Sequence, residues 1–294
     1  MSAATARGRL RAAAARSPLL RKVAGKAALY APASATPGAN ASAWTVADNS
    51  LWPVAERYAG SFPLPEVSYG TVRDFADSVD HMRGLAGASF DMKDLQRCWM
   101  VKAILGNVER GGRILEIGAG EPLVAGMLSR LGYEVTVVDD YEGGGNGPRE
   151  FTRFEAAYPD LRFVRELFPP SVPLGDEFDA VFSISVLEHV PVEHLGGVVD
   201  AGHALVRKRS GCSIHAVDHV LAGWGAEEHR EKLDRIVDAL ALSQDELVAK
   251  IEQMERDPET YFVSAEAHNR WRGDLSYDRY TMRRIGSVNL FAPA

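Results

Sequence analysis

Two acid–imidazole pairs are the residues best suited to chemistry: Glu188-His189 in "VLEHV" and Asp218-His219 in "SIHAVDHV", each at the end of an apolar, strand-like run. If those strands lie side by side, roughly 4.8 Å apart, two carboxylates and two imidazoles meet in one cleft. Such a set can hold a divalent cation, with mixed oxygen and nitrogen ligands favouring Mg2+ or Mn2+ over a structural zinc site. It can also supply a base that deprotonates a hydroxyl, with His189 or His219 as the base and Asp218 fixing its tautomer. His215 lies four residues before His219, roughly 13 Å away along an extended chain, and is expected to be a buried, hydrogen-bonded strand residue. His268 in "SAEAHNRWRG" is a further catalytic candidate. With Arg270, Trp271, Arg272, Tyr277 and Tyr280 it would line a lid whose aromatics stack on a sugar ring and whose arginines pair with an anion.

A second group reads as a cofactor loop. In "LEIGAGEP", Gly118, Ala119 and Gly120 follow a strand and precede a helix, so the backbone can turn tightly and aim free N–H groups at a ligand. A dinucleotide fingerprint requires a third glycine where Leu123 stands, and Glu121-Pro122 fills the space a pyrophosphate needs, which argues against a nicotinamide oxidoreductase. Glu116 inside the strand suits a cofactor bearing an ammonium or sulfonium group. Asp139, at the end of the next strand and 19 residues after Gly120, can accept both hydroxyls of a ribose.

These residues resemble the first motifs of class I S-adenosylmethionine (SAM)-dependent methyltransferases. The resemblance covers about 111–220 and extends to "FDAVFSISVLEHV", close to the family's "FDxVxSxxVLEH". It implies a cofactor-binding set of Glu116, Gly118, Ala119, Gly120, Asp139, Asp140, Glu166 and Ser183, with Glu166 near the adenine, although Arg165 replaces the glycine usual before that acid. Glu188-His189 also looks like the metal segment of small-RNA 3′-terminal 2′-O-methyltransferases and like the related segment of ubiquinone-pathway O-methyltransferases. That likeness implies metal ligands at Glu188 and His189, with His219 in the place of the family's remote His but without its surrounding motif, and Ser185 standing where the former family has its first acid; the convergence of the two strand ends adds Asp218 to the expected metal set. The activity implied is O-methylation of a small hydroxylated molecule, with a sugar or glycoside favoured. N- or C-methylation and a non-catalytic methyltransferase-like binding module stay open.

The elements that must position these residues follow from hydrophobic periodicity. Residues 1–43 form a basic tail, and 44–110 read as an N-terminal helical cap, with Val72, Phe75, Ala76, Val79 and Met82 on one face. Residues 111–220 alternate strand and helix, which implies a doubly wound α/β fold with a mostly parallel sheet and its ligands along the carboxyl rim. Residues 221–294 read as a helical insertion, the aromatic lid and final strands that complete the sheet. "SQDE" at Ser243–Glu246 has the spacing of a capping box.

Composition bounds the partners. The net charge is −7, but no acid precedes Asp48, so seven arginines and lysines in the tail leave −14 for the rest. That body repels nucleic acid, whereas the tail allows a peripheral membrane contact. Cys98 and Cys212 alone imply reduced thiols and a cytoplasmic protein. No run of about 18 apolar residues predicts a membrane span. Oligomeric state is left open.

Overall fold

The computed structural model describes residues 48–86, 91–143, 148–149, 151–175, 177–207, 210–272 and 283–294. The tail, and with it the membrane-contact expectation, lies outside the described residues. In chain order the elements are α1 (Asp48–Tyr58), β1 (Val67–Tyr69), α2 (Val72–His81), α3 (Arg83–Ala86), α4 (Met92–Asn107), β2 (Arg113–Ile117), α5 (Leu123–Arg130) and β3 (Glu134–Val138). They continue with α6 (Phe151–Ala157), β4 (Arg162–Val164), β5 (Ala180–Ile184), a 3-10 turn (Leu187–His189), α7 (Val192–Arg207) and β6 (Cys212–Ala222). Last come α8 (Ala226–Ala239), α9 (Gln244–Arg256), α10 (Ala265–Arg272) and β7 (Arg284–Pro293).

The strands form one sheet in the order β1-β7-β6-β5-β2-β3-β4. β2 pairs in parallel with both β3 and β5, β3 with β4 and β5 with β6, while β7 runs antiparallel between β6 and β1. This is the doubly wound, mostly parallel sheet expected. One face packs against α1, α4, α5 and α6 through residues such as Val54, Ile104, Leu128, Phe154, Phe182 and Ile214. The other packs against α7, α8 and α9 through Val199, Leu233 and Leu247 beneath Val217 and Val288, and through Val206 beneath Val181. Each such side chain fully buried stabilises the fold by about 1.5–3 kcal/mol, so closure of both faces fixes the alternation along every strand.

The structure departs from the sequence expectation in three places. The cap contributes a strand: β1 joins the sheet edge, with Val67 opposite Leu290, and takes one of the places assigned to the chain's last strands. The segment after α9 supplies only isolated bridges, Thr71–Thr260 and Phe262–Gly286, before α10. On α2 the predicted apolar face is only partly buried, with Val72 50% exposed and Phe75 stacked on Tyr261 at 5.1 Å. Helix starts follow local hydrogen bonding: Thr71 and Asp74 cap α2 reciprocally, and Ser243 accepts from Glu246 N–H at 3.2 Å at the head of α9. Among the described residues no helix is long and apolar enough to cross a membrane.

Candidate active site

The turn after β2 is built from glycines that adopt left-handed backbone angles, φ +66° at Gly118 and +55° at Gly120. A Cβ on Gly118 would sit 2.8 Å from both methyls of Val186, so the loop presses on the exit of β5 and has no room for a side chain. Gly118 N–H reaches Val138 O at 2.8 Å, tying the loop to β3. Asp139 completes the tie: its Oδ2 accepts from Gly120 N–H and its Oδ1 from Tyr141 N–H, both at 2.8 Å. The carboxylate is thereby held at the carboxyl rim before any ligand arrives. Ala119 lies half-buried between the glycines, and Asp140 Oδ1 accepts from Glu142 N–H at 3.1 Å in the next turn.

Glu116 forms the floor. It is 3% exposed; one hydrogen bond comes from Ala125 N–H at the head of α5, and its Oε2 is sealed from solvent with no partner. Burial raises its pKa to about 8, against the opposing pull of that N–H and of the Arg97 and Lys93 charges on α4. An orphaned buried carboxyl beside an open glycine loop fits a cationic ligand, which would favour its ionised form. The donor set therefore suits the ammonium and sulfonium of SAM, with Asp139 placed for a diol.

The exit of β5 and β6 itself carry the other predicted residues, and here the geometry divides them. β6 does not end at Asp218 but stays paired with β7 through Val220, and with one irregularity to Ala222. Successive side chains therefore leave opposite faces of the sheet. Asp218 turns toward α4, where its Oδ1 accepts from Gln96 Nε2 at 2.9 Å and Ser185 Oγ at 3.0 Å. His219 turns toward α8, 3% exposed, and its pKa falls to about 4 through burial, with His229 and Arg230 adding to the fall. Glu188 tucks under the sheet rim, where Oε1 accepts from Asp218 N–H at 3.3 Å and Oε2 is sealed without a partner. Burial and the neighbouring Asp218 charge hold its pKa well above the carboxylate range. His189, next to it in the 3-10 turn, is exposed.

The expected metal set is thus corrected. Asp218 and His219 point to opposite faces, and among the described residues no three His, Cys, Asp or Glu side chains are grouped to hold an ion. Ser183 is also corrected: it is fully buried on the α7 face with Oγ 2.9 Å from His215 Nδ1, so it braces two strands and does not face a ligand. His215 takes the buried, hydrogen-bonded place expected of it. His268, expected as a catalytic group of the lid, is 1% exposed on α10, and its Nε2 accepts from Arg283 N–H at 3.3 Å. Glu166 binds Ser171 N–H at 2.5 Å through Oε2 in the loop after β4. The side chains of Arg270, Trp271 and Arg272, and all of Tyr277 and Tyr280, lie outside what is described, so the lid does too.

Three residues that sequence reasoning missed come from α4. Lys93, Gln96 and Arg97 share one side of that helix by their i, i+3, i+4 spacing. Gln96 meets Asp218, and the Lys93 and Arg97 charges act on Glu116. No local signal announces them, because twelve of the sixteen α4 residues are buried and the helix has no polar face to read.

No family model matches the chain. A stretch of 96 residues is 33% identical to the ubiquinone biosynthesis O-methyltransferase of Dinoroseobacter shibae, covering 32% of this chain and 38% of that one, so the match spans under two fifths of the curated relative. Among solved structures, the chain is similar to a TehB-like SAM-dependent methyltransferase from Corynebacterium glutamicum, at 19% identity and a TM-score of 0.39 over 56% of this chain and 83% of that one. It is also similar to the 1,6-didemethyltoxoflavin-N1-methyltransferase of Burkholderia thailandensis, at 17% identity and a TM-score of 0.39 over 74% of this chain and 85% of that one.

Proposed function

We propose that the chain is a SAM-dependent methyltransferase that acts on a hydroxyl of a small molecule. One observation carries this reading: a buried carboxyl with an orphaned oxygen, Glu116, lies directly beneath a left-handed glycine turn, and a diol-accepting carboxylate, Asp139, is tied to that turn. The 33% identity of a 96-residue stretch to an O-methyltransferase supports it. When bound, the cofactor would supply an electrophilic methyl group on a positively charged sulfur. The chain's own part is to place Glu116 against the cationic amino-acid end and Asp139 against the ribose, with Lys93 and Arg97 as complementary charge for the carboxylate of that end. A sugar or glycoside is the acceptor favoured by the aromatic and basic segment 260–280.

Calorimetric titration with SAM tests the reading. The wild-type protein is expected to bind, and Glu116→Gln to weaken binding by about tenfold or more, the loss of one charge–charge contact worth roughly 1.4 kcal/mol. No heat of binding with the wild type, or equal affinity for the neutral variant, would overturn it.

A further inference from the structure

β5 and β6 end at different heights. Their last register pair is Ile184 with Ala216, so Asp218 stands above the β5 end, opposite Ser287 of β7 and beneath α4. Around it the chain has built a hydrogen-bonded clamp. Gln96, wholly buried, donates from Nε2 to Asp218 Oδ1 at 2.9 Å and to Ser287 Oγ at 3.2 Å, and accepts at Oε1 from Ser185 Oγ at 2.7 Å. Ser185 adopts φ +51° to bring that hydroxyl within 3.0 Å of the same Oδ1. A non-glycine residue held in this region signals a surrounding that over-determines it. Both clamp contacts fall on Oδ1. Among the described residues, Oδ2 neither takes a hydrogen bond nor is sealed off, and Asp218 as a whole stays half-buried.

We propose that Asp218 accepts the proton of the acceptor hydroxyl through Oδ2, and that Gln96 and Ser185 are positioning residues that hold Oδ1 and so aim that oxygen into the cleft. This rests on the methyltransferase reading above and adds to it the acceptor end of the site. In the step, the acceptor O–H bond breaks and its proton passes to Asp218. The oxygen forms a bond to the methyl carbon as the carbon–sulfur bond breaks, its electron pair staying on sulfur; the proton then leaves Asp218 for solvent. The location agrees. α4 meets Asp218 through Gln96, and the Lys93 and Arg97 charges on the same side of that helix act on Glu116, so one helix bears on both the cofactor floor and the clamp. Burial makes Asp218 more basic than an ordinary carboxylate, against the two clamp bonds. The charged and titratable groups around it are Asp91 at the N-cap of α4 and Lys93 within it, Glu188 and His189 of the 3-10 turn and His229 of α8.

The test measures transfer of tritium from methyl-labelled SAM to catechol and to methyl α-glucoside, with SAM affinity followed separately by calorimetry. Asp218→Asn is expected to bind SAM within about threefold of wild type and to lose transfer by about a hundredfold or more, the usual size of a lost general base. Gln96→Leu is expected to lower kcat by about tenfold with little change in KM. It should also move the acid limb of the pH profile upward, because one bond that favours the charged carboxylate is gone. A merely structural role for Gln96 would not move that limb. Should Gln96→Leu fail to fold, Ser185→Gly, which keeps the backbone angle and removes the hydroxyl, must show the same limb shift. Unimpaired transfer by Asp218→Asn overturns the proposal, as does SAM binding by the wild type without transfer to either probe. Absence of SAM binding instead overturns the reading on which it rests.

Discussion

Strand β6 has polar residues on both faces, and the two faces treat them in opposite ways. On the α7–α8 face the groups are enclosed: His215 bonds Ser183, His203 of α7 bonds Ser213 at 3.0 Å, and His219 is packed under α8 with its Nδ1 sealed from solvent and without a partner. On the α4 face Asp218 is also bonded, but only at one oxygen, and it stays half-buried at the cleft. Enclosure within a dry layer removes a polar group from chemistry, paired like His215 or not like His219, because no ligand can reach it. A half-met pairing at a rim leaves one oxygen for a ligand.

This contrast can be broken or sharpened by substitutions on each face. The largest effect on stability is expected on the closed face. His215→Ala should cost about 2–4 kcal/mol through the cavity and the orphaned Ser183 hydroxyl, read as a lower urea midpoint, with SAM affinity unchanged. A fall in SAM affinity as large as that of Glu116→Gln would show that the closed face is part of the site. The next effect depends on pH. Burial lowers the folded pKa of His215 to about 3, so its contribution is complete above an unfolded pKa of about 6.5 and is lost as pH falls toward 3. Glu116, raised to about 8, acts in the opposite sense over pH 4.5–8, so the measurement must be a difference between proteins. The stability advantage of wild type over His215→Asn, taken from urea unfolding, should shrink by about 2 kcal/mol between pH 6.5 and 5. The smallest effect on stability belongs to the open face. Ser185→Gly relieves a strained φ while losing one hydroxyl proton shared between Gln96 Oε1 and Asp218 Oδ1, and should change stability by no more than about 1 kcal/mol. If it proved as costly as His215→Ala, the two faces would not differ in kind.

Much of the fold was legible because it is local. The change from helical to strand periodicity near Gly111, the glycine stops and the strand–helix alternation each depend on neighbours within a few residues. β1 was not legible: three residues are too short to show a period, and its pairing of Val67 with Leu290 joins opposite ends of the described chain. Gln96 was hidden for the same reason, since it meets Asp218 across 122 positions. The misplacement of His219 has a narrower cause. Ending the strand at Asp218 put both residues at one rim, whereas pairing with β7 carries β6 on to Ala222 and restores strict alternation.

What the sequence by itself determined is the cofactor end: a hydrophobic strand carrying Glu116, glycines able to take positive φ at 118 and 120, and Asp139 at the next strand end, all set by backbone chemistry over a span of two dozen residues. What only the tertiary structure decided is which side each polar residue of β6 faces and what meets it there. A strand's own residues set the alternation, but the length of the strand and the helix laid over each face come from partners far along the chain. Those partners enclose His215 and His219 beneath α7 and α8 and leave one oxygen of Asp218 open beneath α4.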